Sequence, residues 1–235
     1  MSHTSPNRPP VAAFATFAVE VFLLGCATRF AMGEEAPATN SQVATDAHVA
    51  TTNLLRQFNQ SAWSAQKAHD RAVQIGAVIL PDLIAAAAER PRPGYARMWL
   101  ATAIADISDS RSVAALLALL DDPDINIGCV AGYYGPKQKS ATLDQAIGTK
   151  AASLHNARFT SYALLGFLTF RGEAPEGLLQ AGLESDDPRT RAAAVHALAE
   201  MASEQSKTRL QALLQDKDQR VRAAARQVLD AMKGN

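Results

Sequence analysis

The chain has 235 residues, and its 23 lysine and arginine residues balance 23 aspartate and glutamate residues. A net charge of zero gives no support to nucleic-acid binding, and 48% hydrophobic with 20% charged residues excludes wholesale disorder. Two cysteines cannot form a disulfide scaffold. Alanine accounts for 47 residues, a bias that favours helices over strands.

The first 33 residues have the three-part layout of a secretory signal peptide. A polar start that contains Arg8 precedes an apolar run over residues 11–27, and Ala31-Met32-Gly33 supplies the small residues that signal peptidase reads. A transmembrane anchor is disfavoured, because the run is only about 17 residues long and Glu20 lies near its centre. The sequence therefore predicts an exported protein, periplasmic or secreted.

The end of the apolar run allows a second interpretation. Leu23-Leu24-Gly25-Cys26 resembles a bacterial lipobox, in which the cysteine is lipidated and becomes the new N-terminus. Cys26 is thus a candidate lipidation site, and the protein would then meet the membrane only through a lipid anchor. Soluble release after Gly33 and anchoring at Cys26 both remain open.

A linker and a capping helix are predicted before the main domain. Residues 34–46 are rich in Ala, Thr, Ser, Asn and Pro, a composition typical of a flexible linker. Leu54, Leu55 and Phe58 then have helical spacing, which predicts an N-terminal capping helix over residues 47–61.

The remaining residues, 62–235, carry an internal repeat of about 31 residues. Residues 187–201 recur as residues 218–232, and Arg158 lies one period before Arg189 and two before Arg220. A unit of this length fits two short helices that cannot bury their apolar faces alone. The sequence therefore predicts an all-α fold, an α-solenoid of about five stacked antiparallel helix pairs, with an irregular unit at 125–155.

These repeats resemble the HEAT-like repeat family, in a short form similar to the repeats of phycobilisome lyases. The family pattern implies an Asp followed six residues later by an Arg, which bond across the turn between units. Asp216 and Arg222 keep this spacing and are the predicted turn pair. The resemblance also implies a scaffold that binds proteins, although a fold does not fix a function.

The irregular unit contains the candidate binding residues. Its first helix carries two glycines and is predicted to break at Gly135-Pro136. Tyrosine is favoured at contact surfaces, and loops on rigid scaffolds often carry recognition. The candidates for binding are Tyr133, Tyr134, Lys137 and Lys139. The alternative is a degenerate repeat in which the tyrosines only pack against neighbouring helices.

The sequence contains no pattern that predicts catalysis. The histidines after the signal lack the spacing of a metal site, and no phosphate-binding loop or nucleophile motif is present. We therefore predict no catalytic residue, no metal and no cofactor. The preferred interpretation is an exported non-catalytic scaffold that binds another protein, with nucleic acid not favoured. An enzyme accessory of the lyase-type HEAT-repeat class and a purely structural tethered spacer are the alternatives.

Overall fold

The computed structural model describes residues 40–201 and 203–233. The chain divides into two units, 1–42 and 43–235, and the second contains nearly all of the described residues. Within the described ranges every regular element is helical, with twelve α-helices, two 3-10 turns and no strand. The predicted signal peptide, Cys26 and residues 34–39 of the predicted linker lie outside the described residues.

The α-helices are, in chain order, α1 (Asn40–Phe58), α2 (Ala62–Ile75), α3 (Leu80–Ala88), α4 (Gly94–Asp106), α5 (Ser110–Leu120), α6 (Ile125–Tyr134), α7 (Ala141–Leu154), α8 (Ala157–Phe170), α9 (Glu176–Leu183), α10 (Pro188–Met201), α11 (Glu204–Leu213) and α12 (Gln219–Lys233). The 3-10 turns are Gly76–Val78 and Gly135–Gln138. Among the described residues, no helix is long and apolar enough to cross a membrane.

Helix α1 begins at Asn40, inside the segment predicted as a linker, and ends at Phe58. No Gly or Pro lies between these two residues, so nothing in the local sequence ends a helix there. Leu54 and Phe58 near the end of α1 are buried. Tyr95 at the start of α4 donates a hydrogen bond of 2.8 Å to the carbonyl oxygen of Asn59, which fastens the end of α1 to the repeats.

The helices alternate between two layers. In the first layer α2, α4, α6, α8, α10 and α12 each pack against the next member of the series. In the second layer α3, α5, α7 and α9 do the same, while α11 packs on α10 and α12. This stack of antiparallel helix pairs is the predicted α-solenoid, and the all-α fold class is confirmed.

A continuous apolar core fills the space between the layers. Leu100, Leu116, Ile147, Leu164 and Val195, taken from successive helices, are each 0% exposed. Burial of one such side chain contributes roughly 1.5–3 kcal/mol, so hydrophobic stacking supplies most of the stability. The helices begin where the sequence supplies capping side chains, which accept a backbone N–H of the first turn. These caps include Ser61, Asp109, Asp124, Ser140, Asn156 and Ser203.

Candidate functional site

The segment with the predicted binding residues is a packed helix end rather than a projecting loop. Tyr133 and Tyr134 end α6, Lys137 lies in the 3-10 turn that follows, and exposed Lys139 closes that turn with a φ of 53°. Helix α6 breaks where Gly135-Pro136 predicts, but both residues of this dipeptide are buried. The amide of Gln138 donates to the carbonyl oxygen of Ala105 in the preceding repeat. The turn is therefore held against the stack.

The two tyrosines join an aromatic cluster at the ends of α6 and α8. The ring centroid of Tyr133 lies 4.7 Å from Tyr134, 5.6 Å from Phe170 and 6.4 Å from Tyr162, all at edge-to-face angles. Such pairs contribute about 0.5–1.5 kcal/mol beyond their buried area. All four rings are only half-buried, so the cluster packs together and still presents area to solvent. We call Tyr133, Tyr134, Tyr162 and Phe170 the tyrosine surface.

A glycine lets α6 and α8 come close enough to build this cluster. A Cβ atom at Gly166 of α8 would lie 2.1 Å from the carbonyl oxygen of Tyr133, a distance that no side chain tolerates. The backbone of α8 thus touches the last turn of α6. The glycine fixes the position of the aromatic rings by allowing the backbone contact.

Charged residues form a chain beside the tyrosine surface. The Lys137 ammonium donates to one carboxylate oxygen of Asp106 at 2.6 Å, and Nε2 of His69 is 2.9 Å from the other. Nδ1 of His69 is 2.9 Å from the carboxylate of Asp70. We call Asp70, His69, Asp106 and Lys137 the charge chain, which joins α2, α4 and the turn after α6. Sequence reasoning missed His69 and Asp106 as members of this site.

The charge chain shifts the pKa values of its members. Burial lowers the pKa of His69, but hydrogen bonds to Asp106 and Asp70 and their negative charges outweigh it, so the net pKa is raised. Burial raises the pKa of Asp106, but hydrogen bonds from His69 and Lys137 bring the net pKa below its ordinary value. Burial, with Tyr133 and Asp106 nearby, raises the pKa of Tyr134 to about 12.

The predicted turn pair meets through the backbone. Arg222 donates to the carbonyl oxygen of Asp216 at 2.7 Å, while the Asp216 carboxylate accepts two bonds, of 2.8 and 2.9 Å, from Arg191 of the preceding unit. Arg97 and Asp122 form the same kind of pair two helix pairs earlier. Each buried arginine lies 25 residues before its aspartate and therefore joins one inter-repeat turn to the next.

The described residues offer little to a metal or a cofactor. No group of three or more His, Cys, Asp or Glu residues in these ranges could hold a metal ion. A cleft of ≈ 360 Å³ between α7 and α9 is lined mainly by small side chains and the carboxylates of Glu184, Asp186 and Asp187. No lysine or arginine lines this cleft to bind a phosphate. Buried Cys129, which burial keeps as a thiol by raising its pKa to about 11, is not a reactive nucleophile.

The fold and this surface define a helical-repeat protein with an aromatic and charged face on its first layer. Residues 155–233 match the model of the HEAT-repeat family, so the resemblance found in the sequence is confirmed over this part of the chain. The sequence matches no curated protein.

Solved structures share the fold. The complex of CpcE and CpcF of phycocyanin lyase from Nostoc sp. PCC7120 is similar with 18% identity and a TM-score of 0.50, over 88% of this chain and 82% of that chain. Human deoxyhypusine hydroxylase in complex with glycerol is similar with 15% identity and a TM-score of 0.33, over 79% and 85%. An engineered protein gives 18% identity and a TM-score of 0.39, over 84% and 93%.

Proposed function

We propose that this protein is an exported, non-catalytic HEAT-repeat scaffold that binds another protein through the tyrosine surface. The observation that carries the proposal is the half-exposed cluster of Tyr133, Tyr134, Tyr162 and Phe170 on a frame of three first-layer helices. Tyrosines with few rotatable bonds give a large contact area at a low entropic cost.

The backing of this surface favours recognition over simple packing. Its rings are held by the contact between Gly166 and Tyr133 and by the bonds of Lys137 and Gln138 to the preceding repeat. A surface that is already ordered loses little freedom on binding. Lys137, whose side chain is 42% exposed, supplies a polar edge to the aromatic centre, an arrangement common in protein interfaces.

Affinity capture tests this proposal directly. The full chain with a C-terminal tag is expressed in its native host, crosslinked mildly and purified with its partners. Tyr162→Ala combined with Phe170→Ala should remove most of the captured partner, because the half-exposed rings are lost while the charge chain is kept. Trp63→Ala is the matched control, since it removes an aromatic side chain that is 66% exposed on α2, outside the tyrosine surface.

Each outcome of the capture experiment separates the alternatives. Equal capture by the double variant and the parent would place binding elsewhere on the stack, and loss with Trp63→Ala alone would move it to α2. Lys139→Glu changes an exposed charge at the end of the turn and asks whether the predicted lysine takes part. Capture of a pigment-carrying protein with turnover would favour the enzyme-accessory alternative, and no partner at all would favour the spacer.

Export has a test of its own. Three forms of the purified protein are distinguished by the mass of the N-terminal peptide: a start at Glu34, a lipidated start at Cys26, or an uncleaved Met1. The first supports soluble release after Gly33 and the second supports a lipid anchor. Cys26→Ser should abolish only the second form. An uncleaved chain in the cytoplasmic fraction would contradict export.

A further inference from the structure

We infer that His69 is a pH-sensitive tie that fastens the first helix pair, α2 and α3, to the rest of the stack. The tie is closed while both ring nitrogens carry protons and opens when one proton leaves. This inference goes beyond the proposed function and does not depend on the tyrosine surface.

The geometry of the imidazole demands two protons. Nδ1 and Nε2 of His69 are each 2.9 Å from a carboxylate oxygen, of Asp70 and Asp106 respectively. An ionised carboxylate can only accept a hydrogen bond, so both nitrogens must donate and the ring is the imidazolium. A neutral imidazole donates from one nitrogen only, and its other lone pair would then face a carboxylate oxygen at the same short distance.

The partners lie on different helices, so the proton controls a contact between repeats. Asp70 is on α2 itself, whereas Asp106 is the last residue of α4. The ring of Trp99, also on α4, lies 5.4 Å from the imidazole, and the side chain of His69 is 12% exposed. Little water can therefore replace the lost hydrogen bond when the tie opens.

The charges around the ring are balanced only in the protonated state. Lys137 reaches Asp106 from the turn after α6, and Tyr134 of α6 lies close enough to sense the same carboxylate. With His69 protonated, two positive charges face the two carboxylates of the charge chain. Loss of the proton leaves one uncompensated negative charge between α2 and α4.

The direction of the pH effect follows from the two states of His69. Its pKa is raised in the folded protein, so the stabilisation is fully present below the unfolded value of about 6.5 and is lost as pH rises through the folded pKa. Asp106, with a lowered pKa, and Tyr134, with a pKa of about 12, keep their charge states between about pH 5 and 9. The change in this window therefore belongs to the imidazole.

A second histidine provides an internal contrast. His196 on α10 is half-buried, and burial lowers its pKa. The folded protein thus favours the neutral form of His196, and its contribution is lost as pH falls instead of as it rises. The two histidines predict opposite pH dependence in opposite parts of the stack.

Two measurements on the purified full chain test the tie. In a ¹⁵N NMR titration of the histidine rings, His69 should titrate above about 6.5 with both nitrogens protonated below the midpoint, and His196 should titrate lower. Amide hydrogen exchange, divided by the intrinsic rate at each pH, should show α2 and α3 opening more often as pH rises. Each unit by which the His69 midpoint exceeds 6.5 corresponds to about tenfold in opening.

Variants make the test specific. Asp70→Asn, at a side chain 41% exposed, should lower the His69 midpoint without unfolding the chain. Asp82→Asn on α3 changes an exposed carboxylate outside the charge chain and should leave the midpoint unchanged. His69→Gln should remove the pH dependence of α2 opening. A His69 midpoint at or below 6.5, pH-independent opening of α2, or the same pH dependence in His69→Gln would each overturn the inference.

Discussion

Arg191 shows how one side chain can set the angle between repeats. Its guanidinium, 6% exposed, holds the Asp216 carboxylate with two bonds and also donates to the carbonyl oxygens of Ser185 and Asp186. The five donors of a guanidinium lie in a fixed plane, so the two turns that it joins take one relative orientation. Arg97 does the same with Asp122, which makes the device a property of the stack.

Loss of this arginine should be costly. Arg191→Ala leaves the Asp216 carboxylate, 9% exposed, without its partner, and we expect a loss of about 3–5 kcal/mol in the free energy of unfolding. Arg220→Ala is the control: its ion pair with Asp218 is exposed, so the loss should stay below about 1 kcal/mol. Urea denaturation measures both values, and equal losses would contradict the structural role of Arg191.

The same pair predicts how this loss depends on pH. The hydrogen bond from Arg191 lowers the pKa of Asp216, so the pair stabilises the fold above the unfolded value of about 3.9 and loses this effect as pH falls through the folded pKa. The difference in stability between the parent and Arg191→Ala should therefore shrink below about pH 4. A difference that stays constant from pH 7 to pH 3 would show that the carboxylate does not contribute.

At the scale of the element, the contact between α6 and α8 depends on one glycine. Gly166→Ala would place a methyl group against the Tyr133 carbonyl and force the helices apart, which should cost more than about 1–3 kcal/mol and disturb the tyrosine surface. Gly177→Ala on α9 has nothing within 4 Å of the new methyl group and should instead stabilise the helix by about 0.5–1 kcal/mol. Thermal melts that move in the same direction for both variants would contradict this account.

Elements of the repeat were more predictable than its contacts. The 31-residue period placed the helices of residues 187–233 correctly, and it equally separates Asp106 from Lys137, so that this ion pair was readable in principle. His69 lies 37 residues before Asp106, because the first unit is out of register with the others, and no period reveals this contact. The carboxylate of Asp216 bonds 25 residues back rather than six forward, a choice that only packing of the layers decides.

At the scale of the whole molecule, each helix pair contacts only its neighbours. Stability in such a stack is close to a sum of unit stabilities and nearest-neighbour interfaces, so damage should remain local. The tie at His69 and the buried arginines act on different interfaces of this stack. This separation lets one region open while another stays folded, provided that the interfaces between them do not unfold as one.

A charge placed in the last interface tests this independence. Ala225 on α12 is 0% exposed, and Ala225→Asp should destabilise α10, α11 and α12 by at least about 3 kcal/mol, because the carboxylate is buried without a partner. Ala223→Asp on the exposed side of the same helix should cost less than about 1 kcal/mol. Hydrogen exchange should show lost protection in α10 to α12 with protection kept in α2 to α6. Uniform loss across all helices would mean that the stack unfolds as a single cooperative unit, and the local tie at His69 would then have to act on the whole molecule.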